Sequence, residues 1–420
     1  MDTPNDTRPQ NTRWKFAAMV GVYFVGTFND NFCRQCVMLL AVAWGLARMQ
    51  SYITVLFTVP FIIFAAYAGF LADRFSKRSV VIGVKLVSFV AYILGIIGFY
   101  LNSWAIILVT VFILGLQAAV FSPAINGIIP ELYPPAYVVT ANGIIAAAVN
   151  IAILLGIAGA GFVLDVNGTV HDVPIGMCLA AAVGLSVAFI TFVISFFVPV
   201  FPAASPKAHF PWQGPWESVI TLAQTCGDSL LANSIFAKAF FWFAATLQIL
   251  VINPLGLTQF GLTKTMTSVL IVVELVGVGI GSLLAPLIAK GEKWYRVLTP
   301  AAIVMAIAMF AVTAVQYLPL FAHKPVVIAA LAVLGIAGGI FCIPVTSFVQ
   351  VRPVPEMKGR MIASSNFADF IGILLSGAVF YIFNRLDIMP SSCFAIVAVL
   401  TLAVACWLLM SLREKKRNAY

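Results

Sequence analysis

Twelve apolar runs, each near the length of a bilayer-crossing helix and separated by short polar loops, constrain this chain more than any other feature. A helix needs about 20 apolar residues to cross the hydrocarbon core. Lipid offers no water to an unpaired backbone N–H or C=O, so only helices and closed barrels can span it. Barrel strands alternate polar and apolar side chains over about ten residues. The runs here are continuously apolar, which predicts helices near 16–46, 51–72, 79–101, 104–130, 137–164, 174–199, 231–255, 262–289, 296–318, 325–349, 360–384 and 391–412. With 62% hydrophobic and 9% charged residues, the chain has too little polar surface for a soluble globule of 420 residues. The expected fold class is an all-α membrane protein with twelve transmembrane helices.

The basic residues set an orientation, because Lys and Arg collect in cytoplasmic loops. With the N-terminus inside, that side receives Arg8, Arg13, Lys15, Arg74, Lys77, Arg78, Lys85, Lys207, Lys290, Lys293, Arg296, Arg352, Lys358, Arg360, Arg413, Lys415, Lys416 and Arg417. The other side keeps Arg48, Lys264, Lys324 and Arg385. Both termini are therefore expected in the cytoplasm, and the net charge of +9 reflects topology rather than nucleic-acid binding. Residues 1–15 are polar and the run after them is too long for a signal-peptide core, so the first helix is expected to direct insertion. The seven cysteines lie mostly inside spans, and Cys33 and Cys36 form a CxxC with no second pair at zinc spacing. The histidines, His171, His209 and His323, fall in predicted loops, so neither metal nor cofactor is expected.

A polar, Pro- and Trp-rich interval, FPAASPKAHFPWQGPWESVITLAQ, divides the chain near its middle. The segment from Leu114, LGLQAAVFSPAINGIIPELYPPAYVVTANG, is similar to that from Leu334, LGIAGGIFCIPVTSFVQVRPVPEMKGRMIASSN, with Gly115 matching Gly335 and Phe121 matching Phe341. An offset of 220 residues spanning six helices makes the repeats parallel. The expected organisation is a tail at 1–15, a six-helix half at 16–199, a linker at 200–230, a second half at 231–412 and a tail at 413–420. Parallel six-helix repeats resemble the major facilitator transporters, whose substrates bind near the midplane and whose halves rock to give alternating access. GFLADRFSKR, from Gly69, resembles their loop signature between the second and third helices. It suggests a cytoplasmic gate of Gly69, Asp73, Arg74 and Arg78, against the plainer alternative of topogenic charge.

Ionisable residues inside spans are costly and face protein or water, so each is a functional candidate. Asn29, Asp30 and Asn31 interrupt the first span, and Arg34 stands four residues after Asp30, on the same helix face. An ion pair between them is one alternative and a substrate site the other. Lys238 and Gln248 lie on the seventh span; Lys238 either lines the path or snorkels to an interface. Glu274, followed by Gly277, Gly279 and Gly281, is a candidate buried acid or proton site, as is Asp369. Asn126, Asn142 and Asn366 complete the intramembrane polar set, the repeat aligning Asn142 roughly with Asn366.

GTFNDNFCR, VKLVSFVAYILGIIGFYL, GLQAAVFSPAINGIIPEL with TANG, and LGIAGGIFCIP through QVRPVPEMKGRMIASSNF together resemble the bacterial lysophospholipid transporters. They also resemble the transporter half of fused acyl-carrier-protein synthetase/acyltransferase proteins. The resemblance implies an inner-membrane flippase that moves lysophospholipid to the cytoplasmic leaflet, where it is re-acylated. The expected assembly is a monomer, and the expected partner a separate acyltransferase. The resemblance places Asp30 on the family's acidic first-helix position. The chain differs where the family has Ser-Pro-x-Lys-Tyr-Gly: SPAING puts Ile125 in place of the lysine, and Gln248 replaces an arginine of the seventh span. Arg34 is then the leading intramembrane candidate for a substrate phosphate. The alternatives are a proton-coupled exporter of drug-like or siderophore-like amphiphiles using Asp30, Glu274 or Asp369, and a membrane enzyme. The enzyme is disfavoured because no His-x-x-x-x-Asp occurs; His171 and Asp172 are adjacent.

Overall fold

The computed structural model describes residues 12–132, 135–170, 173–203, 210–289, 291–318, 320–353 and 358–417. As hydrocarbon demands, nearly all of it is helix: α1 (Thr12–Ala43), α2 (Met49–Ile63), α3 (Ala65–Arg74), α4 (Lys77–Tyr100), α5 (Trp104–Asn126), α6 (Ile129–Leu132), α7 (Pro135–Leu164) and α8 (Ile175–Ser195). After the midpoint come α9 (Trp216–Gln224), α10 (Ser229–Pro254), α11 (Lys264–Ile288), α12 (Leu298–Ala314), α13 (Leu320–Val351), α14 (Lys358–Arg385) and α15 (Pro390–Arg417). A small antiparallel hairpin between α7 and α8 pairs Val170 with Val173.

Ten of the described helical segments are long and apolar enough to cross a membrane. The pair α2 and α3 makes an eleventh, bent by 55° at Phe64, with Pro60 one turn upstream removing a backbone bond from the helix. Sequence alone suggested one unbroken run there. The remaining helix, α1, has 32 residues, ample length for a span, and its Asn-Asp-Asn cluster holds its hydropathy down. The linker region contains the short amphipathic α9. Just before it, Phe210 stacks on Tyr67 of α3 at 5.2 Å between ring centres.

The described chain forms two compact units. One comprises residues 1–34, 63–156 and 168–214; the other comprises 35–62, 157–167 and 215–420. The core of the first gathers Met19, Val22, Val81, Phe121, Ile125 and Ile128 from α1, α4, α5 and the turn after α5. Ile125 is thus fully enclosed in apolar packing.

In the second unit, α11 and α13 meet along a seam of glycines. A Cβ built on Gly277 or Gly281 would overlap the carbonyl oxygens of Ala332 or Ile336, and one on Gly335 or Gly339 those of Glu274 or Val278. Small residues let helix backbones approach closely where lipid supplies no hydrophobic drive.

The same unit carries a buried amide network near the helix ends. Gln35 donates to Asn253 Oδ1 at 3.0 Å, Asn253 donates to Gln50 Oε1 at 2.6 Å, and Gln50 donates to the Leu250 carbonyl at 3.2 Å. Asp165, just past α7, accepts from the first amides of α11, Lys264 at 3.1 Å and Thr265 at 2.7 Å. Burial alone would raise its carboxyl, but the hydrogen bonds from Thr265 and Lys264 win and hold it below the usual aspartate range.

Candidate functional site

Successive residues of a helix point about 100° apart, so the three polar residues of α1 face three ways. Asn29 donates to the Gly184 carbonyl of α8 at 3.0 Å and anchors helix to helix. Asn31 donates to Thr27 O on its own helix at 2.9 Å, on the side where Gly156 of α7 comes close. Only Asp30 turns toward α4 and α5, where its carboxylate accepts from Tyr92 Oη at 3.0 Å and from Gln117 Nε2 at 3.4 Å. Arg34 donates to Asn31 Oδ1 at 2.8 Å, and its charge lies within electrostatic reach of Asp30.

The sequence reading placed Lys85 with the cytoplasmic loop charges, and the structure corrects this. Lys85 lies eight residues inside α4 and is 3% exposed. Its Nζ sits 3.8 Å from the centre of the Phe121 ring of α5, a cation–π contact. Gly26 of α1 makes room for it: a Cβ there would lie 3.0 Å from Nζ. Asp30 feels the charge of Lys85 as well as that of Arg34. The cluster therefore holds two cations and one carboxylate, together with a buried Gln117 Oε1 that has no hydrogen-bond partner.

The other expected positions separate. Asn126 accepts from Tyr23 Oη at 3.3 Å, while Asn142 is exposed on α7. In the second unit, Lys238 is 7% exposed, so it does not snorkel; it pairs with Asp369 at 2.8 Å and donates to Asn366 Oδ1 at 3.1 Å and Ser365 Oγ at 3.3 Å. Gln248 of α10 and Glu274 of α11 are buried, with Gln248 Nε2 and Glu274 Oε2 lacking partners. At the α3–α4 turn, Asp73 is exposed and makes no ion pair among the described residues. Arg74 lies over the Phe70 ring at 5.4 Å, Arg78 donates to the Phe196 carbonyl at 2.5 Å, and Gly69 has open space around it. The ion pair found there joins Lys77 of α4 to Glu131 of α6. His171, Asp172 and His209 lie outside the described residues, as does the side chain of His323.

Sequence reasoning missed Lys85, Tyr92 and Gln117. Lys85 did carry a signal, a lone charge well inside an apolar run, which the loop count absorbed. Gln117 stands alone as an amide between apolar neighbours in α5. Tyr92 carries none, since a tyrosine in a span suits core or interface equally.

A family model described as Major Facilitator Superfamily matches residues 19–377. The chain is similar to the protein named Lysophospholipid transporter LplT of Klebsiella pneumoniae, 28% identical over 374 residues, 85% of this chain and 86% of that one. It is also similar to the Lysophospholipid transporter LplT of Yersinia enterocolitica, 26% identical over 398 residues, 91% of this chain and 90% of that one. Among solved structures, a D-xylose-proton symporter superposes with a TM-score of 0.73 at 14% identity, covering 94% of this chain and 96% of that one. A bacterial homologue of the human lysosomal transporter Spinster gives 0.69 at 14% identity, covering 96% and 95%.

Proposed function

The chain belongs to the major facilitator superfamily, and from that premise we propose that it is an alternating-access transporter of lysophospholipids in a bacterial inner membrane. The observation that carries the substrate class is Asp30: a carboxylate in a spanning helix, oriented by Tyr92 and Gln117 and flanked by two cations. A lysophosphatidylethanolamine headgroup pairs an ammonium with a phosphate, and Asp30 offers the ammonium a charge-assisted acceptor. The names of the relatives support the same substrate class.

Around this core stand further parts of the proposal. Both termini face the cytoplasm, supported by the basic loop residues that remain once Lys85 is removed from their count. The cytoplasmic gate lies at the α3–α4 turn, with Asp73, Arg74 and Arg78 beside the Lys77–Glu131 pair. The protein acts as a monomer, and a separate acyltransferase consumes the delivered lysolipid.

The test is movement of labelled lysophosphatidylethanolamine across vesicles containing the purified protein. Wild type is expected to move it, and Asp30→Asn to slow it by about ten-fold or more, the scale of one charged hydrogen bond. Wild-type vesicles no faster than empty ones would overturn the proposal. A second reading, a proton-coupled exporter of amphipathic small molecules, draws on Glu274, buried with one unpartnered oxygen. It predicts that an imposed pH gradient drives a lipophilic cation, but not lysolipid, through the same vesicles.

A further inference from the structure

We propose that Lys85 is the anion anchor of the site, holding the phosphodiester of the substrate headgroup opposite Asp30. This deepens the headgroup reading and rests on it. A lysine ammonium has three donors and no acceptor, and a buried charge is costly unless it is paired or hydrogen-bonded. Among the described residues, Lys85 Nζ takes no hydrogen-bond acceptor; what holds it is the face of Phe121 at 3.8 Å. A ring face positions a cation and leaves its donors open. Asp30 acts on Lys85 through its charge and makes no hydrogen bond or ion pair to it among the described residues, its oxygens accepting instead from Tyr92 and Gln117.

A phosphodiester brings one negative charge and acceptor oxygens to the open donors of Lys85. A zwitterionic headgroup places its ammonium at Asp30, with Gln117 Oε1 as a further buried acceptor, and its phosphate at Lys85. The geometry thus favours amphiphiles with a phosphodiester over neutral glycerides. Ile125, enclosed in the apolar core of the same unit, takes no part.

Binding by the purified full-length protein is measured with three probes: lysophosphatidylethanolamine, lysophosphatidylglycerol, which keeps the phosphate and lacks the ammonium, and monoacylglycerol, which lacks both. Lys85→Met is expected to weaken both phosphate-bearing probes by about ten-fold or more, the scale of one charge-assisted bond, and to leave monoacylglycerol unchanged. Lys85→Arg is expected to keep both phosphate probes near wild type. Ligand-free Lys85→Met is expected to melt no lower than wild type, since it removes a buried charge that no hydrogen bond satisfies; a sharp fall would assign Lys85 to structure and overturn the proposal. Undiminished lysophosphatidylglycerol binding by Lys85→Met, or equal loss of all three probes, would also overturn it. Lysophosphatidylglycerol binding that depends on Lys85 in a wild type that moves no lysolipid would uphold the anchor while the transport reading falls. A wild type that binds neither phosphate probe would sink the anchor itself.

Discussion

At the scale of single residues, the candidate site is defined by which face of α1 each polar side chain takes. Asp30 turns to α4 and α5 because helical geometry sends Asn29 to α8 and Asn31 toward α7. Tyr92 then fixes the carboxylate in place with a 3.0 Å bond. Tyr92→Phe removes that bond and keeps the ring, so it is expected to raise the KM for lysophosphatidylethanolamine by roughly three- to ten-fold, the range of about 1 kcal/mol for such a bond. An unchanged KM would mean that Tyr92 merely fills space. Asp30 was legible in the sequence because a charge in a span needs a reason. Lys85 carried the same signal, a lone charge inside an apolar run, but it was absorbed into the count of cytoplasmic basic residues that topology supplies. Telling the two apart needs the depth of the residue along α4 and the Phe121 ring across from it, and hydropathy reports neither.

At the scale of elements, helix existence and approximate ends were readable, since each run had to satisfy its backbone within lipid. The break between α2 and α3 was not, because Phe64 and its neighbours are as apolar as the rest of the run. Nor was the contact that Asp165 makes with the start of α11, which spans about 100 residues of sequence. Its pH dependence has a definite sign. A carboxyl held below its ordinary value contributes stability at neutral pH and loses it as pH falls through that lowered value. Asp165→Ala is therefore expected to melt below wild type at pH 7, with the gap closing as pH drops beneath the ordinary aspartate range. A gap independent of pH would remove the carboxylate from the explanation.

At the scale of the whole molecule, the repeat and the asymmetric basic loops were visible in the sequence, but the compact units do not follow the two sequence halves. Residues 35–62 and 157–167 group with 215–420 through contacts such as Gln35 with Asn253 and Gly161 against Lys264. A linear repeat carries no trace of those pairings. The proposed topology predicts that, in a cysteine-free background, Asn167→Cys reacts with an impermeant maleimide added outside whole spheroplasts, while Thr7→Cys reacts only after permeabilisation. The reverse pattern would invert the protein in the membrane. The amide network of Gln35, Asn253 and Gln50 bears on energetics at this scale too. A membrane potential does work on moving charge, about 2.3 kcal/mol per elementary charge per 100 mV. Three neutral amides carry none, so parting them is electrically silent and indifferent to pH. Among the described residues, voltage sensitivity of turnover then arises at Asp30, Arg34 and Lys85, at Glu274, or at the Lys238–Asp369 pair, the ionisable groups inside the spans.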